Sequence, residues 1–178
     1  MLHEPRAHDV PSLAVLFRSG DAALFAVDQP RNDFSILQYV ERAIAERVAG
    51  RGFTYAVTLT ARREIVGLVQ VRQLDPSFEA AEWTALVAPD VRGTGIFLEV
   101  ARLVGSVAFD TVGVHRLEAR VLLHNGRANG ALRKLGAVQE GLLRRAHRQD
   151  GRYFDQVLWS ILREDWDGQW PAATDRVH

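Results

Sequence analysis

The 178-residue sequence contains no cysteine and only one methionine. Without thiols, the chain has no disulfide bond, no thiolate metal site and no cysteine nucleophile. It also lacks an excess of charge of either sign, because 22 basic and 22 acidic side chains give a formal net charge of zero. Nucleic-acid-binding proteins use a positive field to attract phosphate backbones. We therefore expect no DNA binding.

Long apolar runs are also missing. The longest are far shorter than the roughly 20 residues of a membrane-spanning helix, and the first residues lack the pattern of a signal peptide. The six histidines show no metal-ligand spacing. We therefore expect a soluble cytoplasmic protein with no bound metal and no membrane association. The length and the 47% hydrophobic content predict a single domain over residues 1–178, present as a monomer or homodimer.

The chain does contain a regular succession of helical and strand patterns. Helical spacing of apolar residues occurs in four segments: 11–17, 33–49, 96–109 and 125–135. Strand patterns occur in six: 53–60, 65–74, 79–87, 115–122, 137–146 and 153–162. The strand at 53–60 alternates with the period of a half-buried strand. The helix at 96–109 places one apolar face at Ile96, Val100, Leu103, Val104 and Val107.

The order of these elements predicts the sheet. Turn signals at residues 61–64 and 149–151 predict antiparallel hairpins, the second of them at the C-terminal end. The central strand–helix–strand unit predicts one parallel pair. The fold class is therefore α+β, a mixed and mostly antiparallel twisted sheet flanked by helices. Residues 19–32 are predicted to form an irregular loop, either at a substrate entrance or as ordinary solvated surface.

The most informative segment is Val87-Ala-Pro-Asp-Val-Arg-Gly-Thr-Gly95, which leads directly into a helix. Its glycines allow backbone N–H groups to approach an anion, and the helix N-terminus adds unpaired donors and a positive dipole end. No Gly-Lys-Ser/Thr follows, as a Walker loop would require, and Leu98 replaces the third glycine of a dinucleotide fingerprint. The segment predicts a site for a phosphorylated ligand, with a structural turn as the alternative.

This segment resembles the coenzyme A pyrophosphate loop of the GNAT superfamily of acyl-CoA N-acyltransferases, Q/R-x-x-G-x-G/A. Gly93 and Gly95 fall on the two small positions, while Asp90 stands at the Q/R position and Arg92 is a candidate to compensate. Further segments resemble the branch of ribosomal-protein N-terminal alanine acetyltransferases: 80–83, 117–121, 125–129, 132–136 and 137–141.

The resemblance implies that acetyl-CoA donates an acetyl group to a primary amine. The acceptor would be a small amine or a peptide or protein N-terminus, such as that of a ribosomal protein. It implies a bulge at Leu86 and Val87, whose backbone groups pair with pantetheine and polarise the acyl carbonyl. The pyrophosphate would lie on the backbone N–H groups of Arg92, Gly93, Thr94, Gly95 and Ile96.

Several side chains have a candidate role beside an ordinary structural one. An amine is mostly protonated at neutral pH, so Glu82 is a candidate base, or else a solvated strand residue. Asn125 suits a pantetheine contact, a helix cap or both. Arg127, Arg133 and Lys134 could reach the 3′-phosphate of coenzyme A, or belong to a solvated helix face, and Arg127 and Arg133 are the ranked candidates. Members of the superfamily often protonate the thiolate with a tyrosine, and Tyr153 is the only tyrosine after the glycine loop.

Other functions stay open. Two positions depart from the superfamily pattern: Asp90 stands at the Q/R position, and Ala128 stands where the superfamily often has serine. These departures are compatible with an acyl-CoA-binding module that performs no turnover. Nucleotide binding in a doubly wound fold would need more strands and helices after the glycine loop. The predicted hairpin tip is basic, with Arg144, Arg145, His147, Arg148 and Arg152. These residues could bind an acidic substrate or RNA, or could form an ordinary solvated turn.

Overall fold

A computed structural model describes residues 1–18, 30, 32–59, 64–149 and 151–169. Most of the predicted entrance loop, most of the turn at 61–64 and the centre of the hairpin turn at 149–151 lie outside the described residues. The strands are β1 (Leu2–His3), β2 (Gly52–Leu59), β3 (Glu64–Gln73), β4 (Ala80–Val87), β5 (Arg116–Leu122), β6 (Val138–Gln149) and β7 (Arg152–Leu162).

The helices are α1 (Val10–Arg18), α2 (Asp33–Val48), α3 (Ile96–Gly105), α4 (Gly126–Lys134) and α5 (Arg163–Gln169). A π-helical segment (Ser106–Val112) continues α3, and short 3-10 helices lie at Ala7–Asp9 and Pro89–Val91. The sequence patterns predicted neither β1 nor α5, because each is too short to show a clear period.

The strands form one sheet in the order β1-β2-β3-β4-β5-β7-β6. Every neighbouring pair is antiparallel except β4 and β5, which confirms the predicted mixed α+β fold. The parallel pairing is short and joins only Ala80, Ala81 and Glu82 to Arg116, Leu117 and Glu118. Beyond Glu82 the two central strands are no longer paired. This separation positions the candidate site.

Helices cover both faces of the sheet. One buried cluster joins α1 and α2 to strands β2, β3 and β4: Leu13, Ile36, Val40, Ala56, Leu68 and Leu86. A second joins α3 and α4 to the opposite face, with Trp83, Val104, Leu117, Leu132 and Trp159 among its members. Thr54 and Ala56 are therefore buried as well as Phe53 and Val57. The prediction of a half-buried strand at 53–60 is wrong, because α1 and α2 cover its second face.

The buried face of α3 is rotated from the predicted one. Val100, Ala101 and Val104 are buried, whereas Leu103 is 48% exposed. Trp166 of α5 packs against Gly105 on this buried face, so closely that a β-carbon there would lie 2.3 Å from the ring. The buried stripe therefore includes Gly105 and leaves out Leu103.

Candidate active site

A cleft opens where β4 and β5 separate. Its larger part has a volume of about 520 Å³, within the range of small-molecule sites, and its smaller part has about 80 Å³. The two parts share four lining residues: Ala85, Phe97, Asn125 and Ala128. The larger part is bounded by the end of β4, the glycine loop, the start of α3 and one side of α4. The predicted phosphate loop thus lies at the mouth of a ligand-sized cleft.

The end of β4 exposes backbone to the cleft for a different reason than predicted. β3 pairs with β4 from Gln73 opposite Ala81 to Gly67 opposite Val87, without a register shift. The bulge expected at Leu86 and Val87 is therefore absent from this pairing. The departure of β5 leaves the other edge of β4 unpaired. The Leu86 side chain is buried beneath α1 and α2, and its N–H faces β3, because Ala88 two residues later donates to Val66 in the same ladder. The N–H on the unpaired edge is therefore that of Val87, and the predicted contribution of the Leu86 backbone is wrong.

The glycine loop has the conformation of an anion site. Gly93 and Gly95 have φ angles of +80° and +91°, which favour glycine, and Gly95 is the N-cap of α3. The Thr94 hydroxyl donates to the Val91 carbonyl at 2.7 Å and closes the turn. Within the described part of the chain, the N–H groups of Gly93, Thr94, Gly95 and Ile96 have no acceptor. These four donors stand at the positive end of a helix dipole.

Arg92 supports the loop from within. Its backbone N–H donates to the Pro89 carbonyl at 3.3 Å, and its guanidinium donates to the Val87 carbonyl at 3.1 Å and 3.0 Å. The N–H group predicted for the pyrophosphate is therefore used inside the loop. The guanidinium ties the loop to β4, and Arg92 lines the larger part of the cleft while Asp90 is exposed. That Arg92 compensates for Asp90 stays a prediction.

The start of α4 forms the other wall of the cleft. The Asn125 side-chain oxygen accepts a hydrogen bond from the Ala128 N–H at 3.1 Å, so Asn125 caps the helix. Asn125 also lines both parts of the cleft. Capping uses the oxygen, and the Nδ2 group has no acceptor among the described residues. The cap is confirmed, and the pantetheine contact stays a prediction.

The two predicted arginines of α4 lie in different places. Arg127 lines the larger part of the cleft and is exposed. Arg133 is not among the lining residues, and its guanidinium lies 5.7 Å from the centre of the Trp159 ring. Lys134 does line the cleft. Lys134 is therefore better placed than Arg133 for a phosphate of coenzyme A.

Asn129 is a site residue that sequence reasoning missed. Its Nδ2 donates to the carbonyls of Leu122 and Asn125, at 3.0 Å and 2.9 Å, and its oxygen accepts from Trp159 Nε1 at 2.9 Å. One amide thereby joins β5, α4 and β7 behind the cleft. The available signal was an asparagine inside a helix, where its propensity is poor unless its side chain bonds to backbone.

Glu82 is buried, on the face of the sheet that α1 and α2 cover. Its carboxylate accepts a hydrogen bond from Arg72 of β3, and its other oxygen lies 3.5 Å from Arg120 Nε of β5. Arg72 is its direct partner in the β3–β4 register. The alternative of a solvated strand glutamate is wrong, because two guanidinium groups flank the carboxylate and only 8% of its side chain is exposed.

The charged side chains around Glu82 belong to a row that continues along the same face of the sheet; we call it the charged row. Arg116 bonds to Glu118 at 2.8 Å and to both oxygens of Glu140, one of them also at 2.8 Å. The Ser160 hydroxyl donates to Glu140 at 2.7 Å. Arg116 first and Ser160 second hold the pKa of Glu140 at about 2. This row ties β5, β7 and β6 together beside the cleft.

No tyrosine of the described residues lines the cleft. Tyr153 is 60% exposed on the hairpin, with the Arg148 guanidinium 5.9 Å from its ring centre. The residues that the structure describes contain no cluster of three acidic or histidine side chains suited to a metal ion. None of their helices is long and apolar enough to cross a membrane.

Comparison with known proteins decides the family. Residues 1–138 match the family described as "Acetyltransferase (GNAT) domain". The chain belongs to the GNAT acetyltransferase family. A solved GNAT-fold neighbour, a spermidine N-acetyltransferase SpeG chimera from Vibrio cholerae and hSSAT, superposes with a TM-score of 0.82. It is 19% identical, and the alignment covers 95% of this chain and 98% of the other, which shows the fold.

Curated GNAT relatives match over a shorter region. An uncharacterized N-acetyltransferase, YoaA of Bacillus subtilis (strain 168), is 28% identical over 113 residues, which are 64% of each chain. The ribosomal protein uS5-alanine N-acetyltransferase of Escherichia coli (strain K12) is 25% identical over 118 residues, 66% of this chain and 61% of the relative. The match thus spans less than two thirds of either relative.

Proposed function

We propose that this GNAT protein transfers the acetyl group of acetyl-CoA to a primary amine. The observation that carries the proposal is the loop at residues 93–96, at the mouth of the cleft between β4 and β5, whose four N–H groups have no acceptor among the described residues. A pyrophosphate accepts hydrogen bonds from such donors. From there the larger part of the cleft leads along α4 toward the gap between the strands, which suits a long flexible pantetheine arm.

The chemistry follows from the two faces of the gap. The amine nitrogen attacks the thioester carbon, the C–S bond breaks after the tetrahedral intermediate, and the thiolate takes a proton from solvent. The backbone N–H of Val87, on the free edge of β4, stabilises the oxyanion, a type of contribution of about 2.7–4 kcal/mol. Glu82 accepts the amine proton directly or through water. Asn125 orients the pantetheine arm, and Arg127 meets the 3′-phosphate.

The charges around Glu82 are balanced. Arg72 and Arg120 flank its carboxylate, and Arg120 also lies 3.9 Å from Glu118, which belongs to the same row. This row therefore gives no basis for choosing between a monoamine and a polyamine. The acceptor we propose is a peptide or protein N-terminus, including that of a ribosomal protein, or a small amine.

The remaining proposals concern the setting. The absence of cysteine suits a reducing compartment, and we place the reaction in the cytoplasm. A single domain spans residues 1–178, and DNA is not a partner. The competing function is an acyl-CoA-binding module that performs no turnover.

Free thiol released from acetyl-CoA tests the proposal. The purified protein is mixed with acetyl-CoA and a panel of amines: peptides with N-terminal alanine, small monoamines and spermidine. We expect release that depends on an amine of the panel and is reduced at least tenfold in Glu82→Gln. Glu118→Gln is the matched control, because Glu118 belongs to the same charged row but bonds to Arg116. Neither carboxylate is among the residues that line the cleft, so an equal loss in both variants would contradict a specific role for Glu82.

Two results would contradict this function. Tight binding of acetyl-CoA without thiol release across the panel would favour the binding module. Stabilisation by NAD or ATP, with none by coenzyme A, would favour a nucleotide-binding protein.

A further inference from the structure

The smaller part of the cleft lies at the end away from the glycine loop, since none of residues 91–96 lines it. Four residues line both parts, so a group held in the larger part adjoins this space. Most of its lining residues are apolar, among them Trp83, Phe97, Ala119, Val121, Ala128 and Leu132. A ligand that lies on the loop and follows the cleft therefore reaches an apolar space at its far end.

The apolar walls keep surface that the protein does not cover. Ala85, Phe97 and Val121 pack against the buried cluster beneath α3 and α4, but each is only partly buried. The Trp83 and Phe97 rings stack with their centres 5.9 Å apart, which holds this wall in place. An apolar group that covers these side chains removes their surface from water, which favours its binding.

The polar groups of this space do not favour a charged ligand. Among the described residues, Arg120 is the only charged one in its lining. The Arg120 guanidinium lies 3.5 Å from Glu82 and 3.9 Å from Glu118, so two carboxylates balance its charge. Ala128, at the position where the superfamily often has serine, gives the wall a methyl group in place of a hydroxyl. The space therefore fits an uncharged apolar group.

The volume sets the size of that group. The smaller part of the cleft has about 80 Å³. An apolar cavity of roughly 150 Å³ binds benzene, which has six carbon atoms. By the same proportion this space holds about three carbon atoms. The methyl group of an acetyl thioester would fill about one of these places, which leaves room for two more carbons.

We propose that the smaller part of the cleft binds the acyl chain of the donor, and that this protein transfers propionyl and butyryl groups at least as well as acetyl. The inference rests on the proposed function. The amine nitrogen bonds to the thioester carbon and loses its proton to Glu82, the C–S bond breaks, and the thiolate takes a proton from solvent. The carbonyl oxygen lies on the Val87 N–H, and the chain beyond it extends toward Ala85.

A series of thioesters tests the length of the chain. Calorimetric titration without amine gives the Kd of acetyl-, propionyl-, butyryl-, hexanoyl- and succinyl-CoA. We expect the Kd to fall roughly fourfold for each methylene from acetyl to butyryl, because each added methylene is buried. Hexanoyl-CoA should bind no tighter than butyryl-CoA, and succinyl-CoA no tighter than acetyl-CoA. In the thiol-release assay, kcat/KM for propionyl-CoA and butyryl-CoA should equal or exceed that for acetyl-CoA.

Substitutions of Val121 test the place of the chain, because this residue lines only the smaller part of the cleft. Val121→Ile adds one carbon to the wall, so butyryl-CoA should lose its advantage over propionyl-CoA. Val121→Ala removes two carbons, so the Kd of hexanoyl-CoA should fall at least fourfold. In both variants the Kd of acetyl-CoA should change less than twofold.

Val57→Ala is the matched control. Val57 belongs to the same buried cluster, lies on β2, two strands from β4, and lines neither part of the cleft. The order of the thioesters should be that of the wild type in this variant. Thermal unfolding checks that each variant is folded at the temperature of the assay.

A Kd that rises from acetyl-CoA to butyryl-CoA overturns the inference, and turnover of acetyl-CoA leaves the proposed function standing. Tightest binding of succinyl-CoA also overturns it, as does an order of thioesters that neither Val121 variant changes or that Val57→Ala changes equally. Tighter binding of propionyl-CoA and butyryl-CoA without thiol release for any amine overturns the proposed function and the transfer of these groups with it.

Discussion

Gly95→Ala tests whether the positive φ of the glycine loop serves a ligand. The residue has φ +91° and caps α3, and a β-carbon built on it meets no atom within 4 Å. The substitution therefore adds conformational strain without a clash. A non-glycine residue in this region costs about 1–2 kcal/mol, offset by about 0.4–1 kcal/mol of reduced entropy in the unfolded chain. The expected net loss of stability is roughly 0.5–1.5 kcal/mol.

Gly50→Ala is the matched control, because Gly50 has φ +68° and also has open space around its β-carbon position. It follows α2, and it is not among the residues that line the cleft. We expect a similar loss of stability from both substitutions. At this chain length each kcal/mol corresponds to roughly 2–4 °C of melting temperature.

The two variants should differ in affinity. Strain at Gly95 turns the adjacent N–H groups away from their common direction, and one lost hydrogen bond to a charged group costs about 1.5–3 kcal/mol. Calorimetric titration with coenzyme A should therefore give a Kd raised roughly 10- to 150-fold in Gly95→Ala and unchanged in Gly50→Ala. An equal Kd for both variants would refute the claim that this loop holds the pyrophosphate.

Three further predictions concern the structure around the site. Gly105→Ala should lower the free energy of unfolding by about 1–2 kcal/mol, because the added β-carbon clashes with Trp166, but in a Trp166→Ala background the same change should raise it by about 0.5–1 kcal/mol. Thermal unfolding of the wild type, the two single variants and the double variant gives the sign, and a loss in both backgrounds would exclude the ring as the cause. Glu140→Gln should lower the free energy of unfolding by about 1 kcal/mol near neutral pH. Because the pKa of Glu140 lies at about 2 in the folded protein and at 4.5 ordinarily, the difference in stability from the wild type should disappear as the pH falls from about 5 to 2. A difference that does not change with pH in urea titrations would contradict the pairing with Arg116. Asn129→Ala should lower the free energy of unfolding by about 2 kcal/mol, because it leaves the Trp159 indole N–H without an acceptor. Unchanged stability on chemical unfolding would contradict that role.

The features that a single segment encodes were predictable from sequence. Helical and strand periods, the two glycines at 93 and 95, and the Asn125 cap all depend on residues close together in the chain. The strand–helix–strand unit then fixed the single parallel pair, because a crossover of this length joins parallel strands. These features suffice to place the loop at the end of β4.

The features that needed the structure depend on contacts between distant segments. The pairing of Glu82 with Arg72 and Arg120 requires the register of three strands, and a shift of one residue would reverse every side chain. The contact of Gly105 with Trp166 joins residues about 60 positions apart, and Trp166 lies in a helix too short to predict. The cleft itself depends on where β5 stops pairing with β4.

A crystal structure with bound coenzyme A tests the central claim most directly. We expect the pyrophosphate on the N–H groups of residues 93–96, the pantetheine arm between β4 and β5, and the sulfur within reach of the gap beside Glu82. Coenzyme A bound at any other place, with this cleft vacant, would contradict the account.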